Sequence, residues 1–71
     1  MGRIVTDPEV CSGKPVIAGT RILVSVVLGQ LAGGYSIERV IQSFPELSRD
    51  DVIAAIEYAT ALVDQQAARS A

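Results

Sequence analysis

The chain contains no histidine and a single cysteine, Cys11. Without histidine there is no imidazole to act as a base near neutral pH. One cysteine cannot close an internal disulfide, and with no histidine beside it Cys11 cannot build a zinc site. No stretch approaches the roughly 18 consecutive apolar residues of a membrane span. The N-terminus lacks the basic region and long apolar stretch of a signal peptide. No internal repeat or low-complexity tract is present. These absences predict a non-membrane protein with no metal and no cofactor, and an unpaired thiol suits the reducing cytoplasm. Catalysis is equally poorly supplied. The serines have no activating partner in view, and Cys11 reads as a small, inert, partly buried residue. Asp50 and Asp51 read as complements to a helix N-terminus. The expectation is a protein that is not an enzyme.

With 71 residues the chain makes one domain. A domain of this size buries only about 60% of its unfolded surface, and usually gains stability from disulfides, metals or oligomerisation. The first two are excluded by composition. The apolar fraction is 49% and the mean hydropathy +0.37, high for a small monomer, so a homodimer or larger homo-oligomer is expected. The net charge of −2 is uneven. Residues 1–34 set Arg3, Lys14 and Arg21 against Asp7 and Glu9. Residues 35–71 set Arg39, Arg49 and Arg69 against Glu38, Glu46, Asp50, Asp51, Glu57 and Asp64. A polyanion would therefore meet the N-terminal half.

The pattern predicts a mainly α fold: a three-helix, helix-turn-helix-like core (24–66) behind a short N-terminal β-hairpin arm (1–23), with a frayed tail (67–71). In the arm, residues 3–5 suit a strand and Thr6-Asp7-Pro8 a turn. Residues 15–18 and 20–23 are β-branched runs around Gly19, which suits a type II turn with Ala18. Gly13, Pro15, Gly19 and Thr20 are read as structural turn residues, Thr20 through bonds to nearby backbone. The first helix carries Val24, Val27, Leu28 and Leu31 at helical spacing and stops at Gly33-Gly34. The second begins at the Ser36 cap, with Tyr35 set to staple against Val40. It repeats through Ile37, Val40, Ile41 and Phe44, and ends at Pro45. The third begins at Ser48, with Asp51 three residues on and Leu47 stapled to Val52. Its expected apolar face is Val52, Ile56, Ala59 and Val63, widened by Ile53, Ala55 and Leu62. Its expected exposed face is Arg49, Asp50, Ala54, Glu57, Tyr58, Ala61 and Asp64.

Gly13-Lys14 invites a phosphate-loop reading, but Pro8 stands where the first glycine is needed and Pro15 where serine or threonine is needed. Two readings stand for Lys14 and Arg21, with Arg3 on a neighbouring strand. In one, they meet nucleic-acid phosphates or acidic groups of a protein partner. In the other, Lys14 is solvated and Arg21 pairs with Asp7 or Glu9. On the helices, Arg49 and Arg39 offer backbone contacts to DNA, but the rest of the third helix's exposed face is acidic and repels phosphate. Tyr58 suits an interface anchor.

The run Asp7-Pro8-Glu9-Val10-Cys11-Ser12-Gly13-Lys14-Pro15-Val16-Ile17-Ala18-Gly19-Thr20-Arg21-Ile22 resembles the signature of the domain-of-unknown-function 433 family. Leu31-Ala32-Gly33-Gly34-Tyr35-Ser36, Phe44-Pro45-Glu46-Leu47-Ser48 and Asp51-Val52 resemble its second half, so the likeness runs from Ile4 to about Ala61. Leu23 departs from it, standing where many members have proline. The resemblance implies a small bacterial or archaeal domain with a helix-turn-helix-like core. It also implies an antitoxin of the Vap type, found beside a PIN-like toxin nuclease. It carries over no catalytic residue. The expected function is an antitoxin-like module that dimerises, neutralises such a toxin and binds its own operator DNA. The alternatives are a dimeric DNA-binding regulator without a toxin, or a structural assembly domain that pairs through its β-edge.

Overall fold

The computed structural model describes residues 3–70, with side chains described as far as Gln65. The fold is mainly helical. Strands β1 (Ile4–Val5) and β2 (Val16–Ile17) are followed by helices α1 (Val24–Ala32), α2 (Ile37–Ser43) and α3 (Arg49–Ser70). No helix among the described residues is long and apolar enough to cross a membrane.

β2 is the centre of the arm. On one side it pairs antiparallel with β1, Ile4 opposite Ile17 and Val5 opposite Val16. On the other, a single bridge joins Val16 to Leu23. The expected turn at Gly19 is present: the Thr20 N–H donates to the Ile17 carbonyl at 3.0 Å, and Gly19 has φ 80. That φ is the left-handed value that a type II turn requires at its third residue. The Thr20 hydroxyl donates to the Ile17 carbonyl at 2.8 Å and accepts from the Ile22 N–H at 3.0 Å. The strand pairing itself joins residues on either side of a long loop. This is why a reading of local runs found the Gly19 turn and a strand at residues 3–5 but not the register that pairs them.

α1 begins without a side-chain cap. The Pro15 carbonyl instead accepts the Val24 N–H at 3.0 Å, satisfying one of the amides a helix start leaves free and tying the arm to the helix. Leu23 precedes the helix at φ −68, within the range that a proline adopts. Past the helix end, the Tyr35 N–H reaches the Gln30 carbonyl and the Gly34 N–H the Leu31 carbonyl, both at 3.0 Å. This is the reciprocal Schellman closure. Ser36 caps α2 by accepting the Arg39 N–H at 3.1 Å. At α3 the box is closed both ways: the Asp51 N–H donates to Ser48 Oγ at 3.2 Å, and the Ser48 N–H to Asp51 Oδ2 at 3.0 Å. Aspartate reaches as far as this box needs.

Ile4, Val16, Ile17, Val24, Val27, Val40, Leu47, Val52, Ala54 and Ala55 are buried. Ile22, Leu28, Leu31, Ile37, Ile41, Phe44 and Tyr58 pack around them. Four expectations need correction. Ala54 is buried rather than exposed, and Tyr58 is half-buried. Ile53, Ile56, Leu62 and Val63 are exposed rather than in the core. Tyr35 stays exposed, with the Arg39 guanidinium 5.3 Å above its ring, instead of stapling inward. The backbone of the tail is helical through Ser70, since Gln65-Gln66-Ala67-Ala68-Arg69 are all helix-compatible and contain no glycine or proline stop. Met1, Gly2 and Ala71 lie outside the described residues.

Candidate partner interface

The arm carries an unusual turn. Cys11, Ser12 and Gly13 have φ of 50, 58 and 82, three consecutive left-handed residues of which two bear side chains. Such residues are held against their preference by their surroundings. Here the Gly13 N–H reaches the Val10 carbonyl at 3.1 Å and the Lys14 N–H the Cys11 carbonyl at 3.2 Å. The half-buried Cys11 thiol donates to the Arg21 carbonyl at 3.6 Å, linking the turn to the strand end that carries Arg21. Asp7 Oδ1 accepts the Glu9 N–H at 2.9 Å, closing the preceding turn. Lys14 then follows in extended geometry, with φ −72 and ψ 149, and Pro15 leads into β2.

This turn sets Lys14 at the rim of a cleft of about 350 Å³ whose other lining residues are Pro15, Val24, Ser25, Leu28, Tyr58 and Leu62. The walls are apolar, with Lys14 as their cation. Tyr58, half-buried here, was the aromatic singled out from its amphipathic character. Leu62, assigned from periodicity to the core, is a wall of the cleft instead.

The cationic residues divide sharply. Arg3 Nη1 donates to Asp51 Oδ1 at 2.7 Å, and its Nη2 lies 3.8 Å from Asp50 Oδ2. Arg3 thereby bolts the arm to the first turn of α3. Asp51 is held below the usual carboxylate range, first by the Ser48 N–H and then by Arg3, against a smaller opposing effect of burial than the Ser48 bond supplies. Arg49 pairs with Glu38 across the α2–α3 junction. Glu38 is lowered by its own backbone N–H and by Arg49. Arg39 lies over Tyr35. Among the described residues, Lys14 and Arg21 make no ion pair, and both are exposed. Arg21 does not reach Asp7 or Glu9. Of the five cations proposed as contacts, the fold thus engages Arg3, Arg39 and Arg49 internally, while Lys14 and Arg21, both on the arm, have no ion pair among the described residues. Gly13, Pro15, Gly19 and Thr20 all serve the backbone geometry that places them.

The sequence profile of the family described as "Protein of unknown function (DUF433)" matches residues 4–59. The chain is similar to the uncharacterized protein y4eO of Sinorhizobium fredii (strain NBRC 101917 / NGR234), with 34% identity over 58 residues. That likeness covers 82% of this chain and 26% of the relative, so the chain spans about a quarter of the relative's length. Among solved structures it is similar to a DUF433 member protein from Anabaena variabilis ATCC 29413, with a TM-score of 0.82 and 28% identity. That match covers 92% of this chain and 64% of the other.

Proposed function

The chain belongs to the DUF433 family, and from that premise we propose that it is an antitoxin-like binding module. It acts by self-associating and by occupying a PIN-like toxin nuclease, and it performs no catalysis of its own. The observation that supports this reading is the division of the cations. Lys14 and Arg21 are exposed on the arm without a carboxylate partner among the described residues, and Lys14 stands at the rim of an apolar cleft. A nuclease metal site is acidic. An ammonium and a guanidinium on a rigid arm fit such a surface electrostatically, while Tyr58 and Leu62 offer apolar anchorage beside them.

Operator DNA binding belongs to the same reading in a reduced form. Arg49 and Arg39 are engaged by Glu38 and Tyr35, and Glu57 and Asp64 stand exposed on α3. A phosphate contact would thus fall to Lys14 and Arg21, and not to α3 as a recognition helix.

The test is co-expression with a PIN-like toxin nuclease of the same genome. A co-purifying complex and relief of growth arrest are expected, and Lys14→Ala with Arg21→Ala weakens both. No complex, or undiminished toxicity with the intact chain, overturns the reading.

A further inference from the structure

The cleft between the arm, α1 and α3 is polar at one end and apolar at the other. Its polar end lies at the start of α1. Lys14 directly precedes Pro15, whose carbonyl accepts the Val24 N–H at 3.0 Å, so the fold places Lys14 beside the first turn of that helix. Ser25, in the same turn, adds a hydroxyl to the lining. Leu28 follows one turn farther along α1, about 5.4 Å on, and Tyr58 and Leu62 form the wall from α3. No carboxylate lines the cleft, the first turn of α1 contains no acidic residue, and Lys14 makes no ion pair among the described residues. The neighbouring groove of about 280 Å³ differs: it shares Leu28, but carries Asp64 in its wall and no cation.

We propose that the cleft is a binding site for a small aliphatic carboxylate, its headgroup against the Lys14 ammonium and its hydrocarbon tail along Leu28, Tyr58 and Leu62. Three features select this class. The volume of about 350 Å³ falls within the range of small-ligand sites, about 300–1,000 Å³, which are mostly apolar with a few placed polar groups. The charge suits a single anion. One ammonium balances one carboxylate, whereas a phosphate monoester brings close to two negative charges and finds no second cation in the lining. A cationic head meets Lys14 as a like charge and is rejected. The walls supply the attraction for the tail: Leu62 is 42% exposed, and Leu28 and Tyr58 are half-buried, so a bound chain removes apolar surface from water that the fold itself leaves uncovered. Lys14, Tyr58 and Leu62 also belong to the proposed partner contact, so a bound carboxylate competes with it. That consequence rests on the partner reading; the site itself does not.

The test is titration of the full chain with sodium octanoate, followed by two-dimensional amide NMR. Saturable shifts confined to the residues around the cleft are expected, with a dissociation constant of about 1 mM or tighter. Octan-1-ol is expected to bind more weakly there, and octylammonium not at all. Lys14→Met keeps the aliphatic stem and removes the charge at an exposed position. It is expected to weaken octanoate about fivefold and leave octan-1-ol unchanged. Leu62→Gln, at a residue 42% exposed, is expected to weaken both. Should that variant misfold, Leu62→Ala gives the same reading. Octanoate bound no tighter than octan-1-ol, or undiminished in Lys14→Met, overturns the carboxylate site. Shifts centred on Ile56 and Val63, in the neighbouring groove, overturn its placement. If octanoate fails while a PIN-like nuclease moves the resonances around the cleft, the cleft belongs to the protein partner, and the ligand site falls with the partner reading intact. If those resonances move with chain concentration alone, a second copy covers the cleft and the ligand site falls as well.

Discussion

From Arg49 to Tyr58, α3 is fastened on several sides: Val52, Ala54 and Ala55 are buried, Asp51 closes the capping box and holds Arg3, and Arg49 meets Glu38. From Ala59 onward the same helix has lost that hold, and Leu62 and Val63 face outward at 42% and 62% exposure. The contrast shows where the fold's stability is generated and where its apolar surface is left exposed. A helix is continuous along its backbone hydrogen bonds, so the unsupported half is carried by the supported one. It keeps its shape while presenting side chains that the monomer has no core to receive.

The sharpest way to break this contrast is to trim one valine in each half. Val52→Ala removes a fully buried side chain and is expected to cost about 2 kcal/mol in urea unfolding, from lost burial plus the cavity left behind. Val63→Ala, measured at a concentration where the chain is monomeric, is expected to change stability by less than about 0.5 kcal/mol. Equal losses at the two sites would erase the distinction.

A smaller effect is expected at the helix start. Asp51→Ala removes both the reciprocal cap and the anchor of Arg3, and is expected to cost about 1 kcal/mol. This contribution depends on pH in a defined sense. Asp51 is lowered in the folded chain, so the unfolded chain binds more protons between the two pKa values and stability rises with pH there. The contribution is complete above the unfolded aspartate value of about 3.9 and is lost as pH falls through the folded value. Acid titration of unfolding should therefore run more steeply below about pH 4 for the wild type than for Asp51→Ala. Parallel slopes would mean that the cap is not coupled to titration.

The smallest effect is expected at Arg49. Its pair with Glu38 joins two side chains that are 58% and 66% exposed, and solvent and salt screen such contacts. Arg49→Ala should leave the urea midpoint nearly unmoved, and entirely unmoved in high salt. A clear loss would show that the supported half of α3 depends on its surface pairs as well as its core.

The two halves also differ in how much of them could be read in advance. Ser36 and Ser48 announced their helices, because a cap is made by neighbours within three residues. Gly33-Gly34 and Pro45 marked the stops for the same reason. The Gly19 turn and the two hydrogen bonds of Thr20 are equally local. The apolar face of α3 was not legible. From Val52 to Val63 apolar residues occur nearly all the way round the helix, so periodicity alone cannot choose a buried side. The two alanines show the consequence. Their small volume lets the helix approach its neighbours closely, and close approach decided that Ala54 is buried while Ile56 and Val63 are not. In the candidate interface, the charges of Arg3, Lys14, Arg21, Arg39 and Arg49 were visible as a set. Which of them are neutralised was not. Arg3 finds Asp51 across 48 residues of chain, a pairing that no local spacing encodes.

Local chemistry along the chain was enough to establish a mainly helical domain with an irregular arm, α2 and α3 begun by serine, α1 ended by glycine and α2 by proline, and no histidine or second cysteine for metal or disulfide chemistry. Caps, turns and breakers act over a few bonds, so they are written in consecutive residues. Packing decided the rest: β1 against β2, the buried alanines, the two arm cations that have no ion pair among the described residues, and the apolar side chains left exposed on α3. Each of these depends on which surfaces meet in space, and burial and ion pairing are won by the residue that arrives closest, however far away it lies in the chain.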